Sequence, residues 1–224
     1  MLKLPEELFP FFKKLERNNN RDWFEVNKPQ FKEIESQVKI FGEQLKETLA
    51  LTEYVDQVKL FRIYRDVRFS KDKTPYKAHF AGSYARLGKE LRGGYYLRIR
   101  PGESFLAGGF WEPNKEDLLR IRKEIEQDAS EIHAILKDDN YMKYFGGKFE
   151  GAELKSAPRG FDKGHKDIDL LRKKGFIAVR NFSDAEVLAP NFLEEVTESF
   201  KALRPFFNLF SDVLTTNLNG ESLI

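Results

Sequence analysis

The residues from Phe61 to Lys77, FRIYRDVRFSKDKTPYK, concentrate side chains that bind anions. From Arg62 to Lys77 there are six Lys or Arg residues against two acids, Asp66 and Asp72, which gives a net charge of +4. Arginine grips a carboxylate or phosphate through two parallel hydrogen bonds, lysine adds a point charge, and tyrosine can stack on a ligand or donate a hydrogen bond. The pattern therefore predicts a binding site for a small anion that bears phosphate or carboxylate.

The local sequence favours an ordered loop for this stretch. Ser70 and Asp72 can bond to neighbouring backbone amides in tight turns, and Pro75 pushes Thr74 towards an extended conformation. A loop held by such turns would keep its charged side chains in place before a ligand arrives, which lowers the entropic cost of binding.

The candidate ligand-binding residues lie in this loop, in the segment YYLRIR and in the downstream segment APRGF. They are Arg62, Tyr64, Arg65, Asp66, Arg68, Lys73, Tyr76, Lys77, Arg98 and Arg159. The downstream arginines, together with Arg100, would contribute if the fold brings them close to the loop. Asp66 would orient a neighbouring arginine or serve as a base. No residue is assigned a catalytic role, and whether the protein is an enzyme stays open.

Three other interpretations of the loop stay open. A basic sheet face with exposed aromatic side chains can track phosphates and stack bases, but the pI of about 8.5 is low for a nucleic-acid-binding domain and no known signature is present. The arginines and aspartates could instead form a salt-bridge lattice that pins the loop, with function in protein–protein interaction. The protein could also be an enzyme that acts on a phosphorylated or carboxylated molecule, but its sequence contains no P-loop, no nucleophile elbow and no metal-binding helix.

Composition limits the remaining classes of function. The 224 residues include 21 phenylalanines and no cysteine, so the chain is globular, without disulfides or thiolate zinc sites. The three histidines show no metal-ligand spacing, and we expect no metal and no cofactor. The start of the chain is unlike a signal peptide, and no apolar run is long enough to span a membrane. We therefore expect a cytoplasmic protein with no membrane partner, and the oligomeric state is left open.

Helices and strands are predicted in separate parts of the chain. Apolar residues recur at steps of three or four from Phe31 to Leu49, which predicts a helix with Asn20 as its N-cap. The next segments are rich in aromatic and β-branched residues and predict strands: VKLFRIY, HFAGSYARL, YYLRIR and SFLAGGFW, the last two as a hairpin. Alternation along YYLRIR predicts one apolar face and one cationic, aromatic face.

The second half of the chain is predicted to be mostly helical. Helical spacing continues from Leu118 to Ile135, a glycine-rich loop follows, and DIDLLRKKGF predicts a short helix before the strand FIAVRNF. SDAE fits a capping box, and Pro205 is expected to break the last apolar stripe. The order of elements predicts a single domain, residues 1–224, of the α+β class. Its largely antiparallel sheet would have about four to six strands in the middle of the chain, packed by N-terminal and C-terminal helices.

Several strings in the chain resemble one known family. IYRDVRFSKDKTPYK, the upstream NNNRDWFEVNK and the downstream APRGF and LLRKKGF are similar to the uncharacterised family catalogued as domain of unknown function 2461. The resemblance covers nearly the whole chain and implies a single-domain, bacterial-type protein. It supports treating the loop residues as a motif and assigns no activity, cofactor or catalytic residue to any of them.

Overall fold

The computed structural model describes residues 2–51, 55–217 and 220–224. Over these residues the chain forms nine helices and one five-stranded antiparallel sheet, so the predicted α+β class is confirmed. The strands lie side by side in sequence order: β1 (Val55–Leu60), β2 (Phe80–Arg86), β3 (Gly94–Ile99), β4 (Ser104–Phe110) and β5 (Phe176–Phe182).

Two helices precede the sheet in sequence, four lie between β4 and β5, and three follow. They are α1 (Leu8–Arg17), α2 (Arg21–Ala50), α3 (Lys115–Gln127), α4 (Ser130–Lys137), α5 (Asp139–Phe145), α6 (Ile168–Leu171), α7 (Asp184–Leu188), α8 (Phe192–Lys201) and α9 (Arg204–Thr215). None of the described helices is both long and apolar enough to cross a membrane.

The chain divides into two compact units. The first unit comprises Met1–Tyr84, Tyr96–Leu106 and Asn181–Thr197, and the second comprises Ala85–Tyr95, Ala107–Arg180 and Glu198–Ile224. The expectation that residues 1–224 form a single domain stays a prediction.

In the first unit, α2 supplies a continuous apolar stripe. Its N-cap is Asn20, whose side chain accepts a hydrogen bond from the amide of Trp23 at 2.9 Å, as predicted. The predicted stripe is buried along its whole length: Phe31, Ile34, Val38, Phe41, Leu45 and Leu49. Phe31 stacks on Phe80 of β2 with ring centroids 5.7 Å apart, so this stripe packs on one face of the sheet.

The alternation predicted for the third strand is confirmed. Leu97 and Ile99 are buried, whereas Tyr96, Arg98 and Arg100 are partly exposed. An antiparallel sheet can keep one face in the core and the other in water, and this strand does so.

Three predicted boundaries are wrong. β1 starts before VKLFRIY and ends at Leu60, because the chain then leaves the regular ladder. The helix predicted from Leu118 to Ile135 is two helices, since Asp128 adopts an extended conformation and its side chain accepts from the Ser130 amide that begins α4. The short helix predicted in DIDLLRKKGF is present, but it ends at Leu171 and not at Gly175 as predicted.

The second unit has an aromatic core around α9. Pro205 stands in the first turn of this helix, which confirms the predicted break, since proline is tolerated there. The ring of Phe206 lies 5.5 Å from that of Phe110 and 4.8 Å from that of Phe149, between centroids. These contacts bury the apolar face of α9.

Candidate functional site

The basic loop, residues 61–77, is a two-stranded extension of β1 and β2. The amide of Arg65 donates to the carbonyl of Pro75 at 2.9 Å, and that of Lys77 donates to the carbonyl of Ile63 at 2.8 Å. Tyr64 and Tyr76 form an isolated antiparallel bridge between these contacts. The expected ordered loop is therefore present, held by backbone hydrogen bonds.

Tyr76 anchors the basic loop to the start of α2. Its side chain is buried, at 4% exposure, and its ring stacks on Phe24 with centroids 4.0 Å apart. The side chain of Asn19 accepts from the Tyr76 amide at 3.1 Å and donates to the Tyr76 carbonyl at 2.9 Å. A predicted ligand-binding residue thus has a structural role.

An ion pair closes the base of the loop tip. Arg65 donates to the carboxylate of Asp72 and to Thr74, and its side chain is only 26% exposed. The amide of Thr74 donates to Asp72 at 2.9 Å. This backbone hydrogen bond, followed by that from Arg65, lowers the pKa of the Asp72 carboxyl to about 2. The pair is therefore fully charged at neutral pH.

A second ion pair lies at the exposed tip. Arg68 holds Asp66 through both carboxylate oxygens, with N–O distances from 2.6 to 3.2 Å, and these hydrogen bonds lower the pKa of Asp66. Lys73 donates to the carbonyl of Val67 at 2.9 Å. Both acids of the loop are thus neutralised within it, as the lattice interpretation expects. Phe69, which lies between the two acids in sequence, is 98% exposed.

Another loop cation, Lys77, points to a different place. Lys77 donates to the carbonyl of Arg62 at 3.2 Å, and its ammonium group lies 5.9 Å from the centre of the Phe61 ring. These groups lie on the side of the sheet opposite α2, with the outward residues of β3 and β4. We call this surface the sheet face and define it by Phe61, Lys77, His79, Tyr96, Arg98, Arg100 and Phe105.

Two arginines of the sheet face hold one carboxylate. Arg98 and Arg100 donate to the same oxygen of Glu103, at 2.8 and 3.1 Å. Arg100 also pairs with Glu16 at 2.9 Å, and the guanidinium of Arg98 lies 4.7 Å from the centre of the Phe105 ring. The two guanidinium groups are thus arranged as a fork for a carboxylate.

His79 lies among these cations. Burial and then the charges of Arg98, Lys77 and Arg100 lower the pKa of its imidazole to about 4, against a weaker opposing effect of Glu103. The imidazole is neutral at physiological pH, and protonating it would add a fourth positive charge to the cluster. Its pKa therefore reports burial first and then the positive potential of the sheet face.

The predicted set of site residues is divided by the structure. Arg65, Asp66, Arg68 and Lys73 are engaged within the loop, Tyr64 and Tyr76 meet at the start of α2, and Lys77 and Arg98 share the sheet face. Arg62 is exposed beside Lys77, and within the described residues its side chain makes no hydrogen bond. Arg159 is exposed in a turn of the second unit.

The prediction omitted His79 and Glu103. The two-residue period of a strand could have placed His79 on the same face as Lys77, because His79 is two residues beyond Lys77 and extended residues two apart share a face. Glu103 follows a turn, and only the hairpin geometry brings it back to the arginines of β3.

The second unit contains another polar cluster, outside the predicted ligand-binding residues. His133 Nε2 lies 2.5 Å from Oδ1 of Asp167, which is 7% exposed, and the amide of Asp167 donates to Nδ1 of His165 at 3.0 Å. The other ring nitrogen of His165 donates to the carbonyl of Glu126 at 3.2 Å. These histidines therefore join α4 and α3 to the loop before α6. Over residues 2–51, 55–217 and 220–224, no three His, Asp or Glu side chains are placed to hold a metal ion.

The first unit also contains an apolar cavity of about 350 Å³ between α2 and strands β1 to β3. Its walls include Val38, Phe41, Phe80, Tyr84 and Leu97. Charged side chains, Lys39 and Glu43, come only from α2. An anion would be poorly solvated there, so the cavity does not compete with the sheet face as an anion site.

The chain matches one family model over most of its length. The family is described as "Conserved hypothetical protein (DUF2461)", and the match covers residues 7–209, including every residue of the basic loop and the sheet face. Neither a curated protein nor a solved structure matches the chain at a significant level. The protein belongs to the DUF2461 family.

Proposed function

We propose that the sheet face binds a small anion that bears phosphate or carboxylate. The observation that carries the proposal is the convergence of Lys77, Arg98 and Arg100 on His79, where their charges, after burial, lower the pKa of the imidazole to about 4. The part of this shift that comes from the three cations also favours an anion, since positive charges that repel a proton attract a negative group. The ligand would lie beside His79, within reach of the lysine and of the arginine fork.

The carboxylate of Glu103 supports the choice of ligand group. One of its oxygens accepts hydrogen bonds from both Arg98 and Arg100, a position that an oxygen of an external carboxylate or phosphate could occupy. Glu103 is about half exposed, so a ligand with two negative charges would share the fork with it or displace it. Replacing Glu103 by Gln would remove this internal competitor.

The basic loop has a supporting role in this proposal. Its two ion pairs use Arg65, Asp66, Arg68 and Asp72 internally, which favours the lattice interpretation for these four residues. Their contacts, with the Tyr76 anchor, fix the strand that carries Lys77 and His79. We therefore assign binding to the sheet face and positioning to the loop, and no chemical step is needed for either role.

Calorimetric titration with inorganic pyrophosphate at low salt tests the proposal. We expect saturable binding to the wild type, weaker binding to Lys77→Ala and tighter binding to Glu103→Gln. Lys39→Ala is the matched control, because it removes the same charge from α2, on the opposite side of the sheet, and should leave the affinity unchanged. Equal losses in both lysine variants would mean that only net charge matters and would overturn the proposal.

A further inference from the structure

We propose that the phosphate groups recognised by the sheet face belong to single-stranded nucleic acid, with bases stacked on a row of aromatic rings and phosphates held by the flanking cations. The inference rests on the proposed function, because it uses the same cations and adds a reason for the aromatic residues beside them. The row comprises Phe61, Tyr96 and Phe105.

The three rings form a continuous strip across the strands. The centroids of Phe61 and Tyr96 are 6.3 Å apart and those of Tyr96 and Phe105 are 5.6 Å apart. Neighbouring ring planes are inclined by 39° and 36°, so the rings turn gradually instead of meeting edge to face. All three side chains are partly exposed. Ligand bases could therefore stack along the strip one after another.

A small residue on β2 allows the strip to form. β2 lies between β1 and β3, so outward side chains on the outer two strands start about 10 Å apart. The amide of Phe61 donates to the carbonyl of Ala81 at 2.8 Å, and alternation places Ala81 on the side of β2 opposite Phe80. Ala81 thus places only a methyl group beside Phe61 on this side of β2, and the rings of Phe61 and Tyr96 come within 6.3 Å of each other between centroids.

Cations accompany the rings at both ends of the strip. The ammonium groups of Lys59 and Lys77 lie 5.8 and 5.9 Å from the centre of the Phe61 ring, and the guanidinium of Arg98 covers Phe105. A base stacked on Phe61 would thus have two ammonium groups within reach of its phosphate, whereas at Phe105 the guanidinium of Arg98 occupies one face of the ring and a base would need the other face. Residues 57–112 hold 12 Lys or Arg against 5 Asp or Glu, so the part of the chain that builds the sheet face is strongly basic although the whole chain is not.

The aromatic rings and the cations of the sheet face together favour one class of ligand. Cross-strand aromatic pairs also stabilise sheets, and cations alone would serve for a lone phosphate. A ligand that uses both must carry flat apolar rings at intervals along an anionic backbone. Duplex nucleic acid hides its base faces within the stack, whereas a single strand exposes them, so the sheet face fits the single strand.

Fluorescence anisotropy with a short labelled oligothymidylate tests the inference. The comparison ligands are a duplex of the same length, thymidine monophosphate and inorganic pyrophosphate, and the variants are Tyr96→Ala, Tyr96→Phe, Lys77→Ala and Tyr64→Ala. We expect Tyr96→Ala to weaken oligonucleotide binding by about ten-fold or more and to leave pyrophosphate binding unchanged, since each stacked base contributes that much. Tyr96→Phe, which keeps the ring, should bind like the wild type and shows that a loss in Tyr96→Ala is not misfolding.

The remaining arms separate the inference from the proposed function. Lys77→Ala should weaken the binding of both the oligonucleotide and pyrophosphate. It should also reduce the salt dependence of oligonucleotide binding, because each phosphate contact contributes about 0.7 to the slope of log affinity against log salt concentration. Tyr64→Ala, an exposed aromatic outside the strip, should have no effect. Stacking is refuted, and the anion site stands, if pyrophosphate binds but the oligonucleotide binds no tighter than pyrophosphate or the monophosphate. The same conclusion follows if the duplex binds as tightly as the single strand. If the wild type binds none of them, both proposals fail.

Discussion

The anchoring role of Tyr76 gives a sharp prediction for stability. Its ring is 96% buried and stacks on Phe24, whereas its bridge partner Tyr64 is 47% exposed and makes only longer ring contacts. Removing a buried aromatic ring costs about 3–5 kcal/mol, of which the stacked pair accounts for about 0.5–1.5 kcal/mol. We expect Tyr76→Ala to lower the free energy of unfolding by about 3 kcal/mol or more and Tyr64→Ala by about 1 kcal/mol.

Urea denaturation of the two variants and the wild type measures this difference directly. Both substitutions remove the same atoms from facing positions of one bridge, so they differ mainly in burial. At 224 residues, each kcal/mol corresponds to about 2–4 °C in the thermal midpoint, which provides a second readout. Equal losses, or a loss below about 1 kcal/mol for Tyr76→Ala, would refute the conclusion that Tyr76 anchors the loop.

Three further predictions concern the loop, the backbone and the pH dependence of stability. Arg65→Ala should lower the thermal midpoint, because Asp72 loses a partly buried partner, whereas Arg68→Ala should leave it unchanged, since that ion pair is exposed; equal midpoints would refute the distinction. Gly42→Ala should stabilise α2 by about 1 kcal/mol, because its Cβ would meet only the Tyr84 hydroxyl at 3.6 Å, whereas Gly109→Ala should destabilise the protein, because its Cβ would clash with a backbone oxygen 2.2 Å away. Urea denaturation of both variants checks the signs of the two changes. The free energy of unfolding should fall as the pH drops from 6.5 towards about 4, because the unfolded chain binds a proton at His79 that the folded protein does not bind. In His79→Gln the free energy of unfolding should fall less steeply over that range.

The fold was predictable where one local signal determined an element. The α2 stripe needed only helical periodicity, the Asn20 cap needed one side chain, and the alternation of β3 needed only a period of two. The capping box at Ser183 is also present, with both of its hydrogen bonds. The break between α3 and α4 was missed because apolar spacing continues through Asp128, and only the backbone conformation of this residue ends the helix.

The site was predictable in composition and less so in arrangement. The sequence shows that the loop is basic, but it cannot show which acids pair with which arginines, since Arg65 reaches seven residues ahead to Asp72 while Arg68 turns back to Asp66. It also cannot place His79, whose environment comes in part from Arg98 on β3 and from Arg100 and Glu103 in the turn that follows. Long-range convergence of this kind depends on strand register, which follows from the packed sheet and not from the local pattern.

The most direct test of the central claim is the pKa of His79, measured by NMR with and without sulfate in the wild type and in Lys77→Ala. Sulfate remains a dianion throughout the titration, so changes in the imidazole signal report the protein. If the cations around His79 form an anion site, sulfate will raise the pKa from about 4, and the increase will be smaller in the variant. A pKa that does not change at saturating sulfate would show that anions do not bind at the sheet face and would contradict the account.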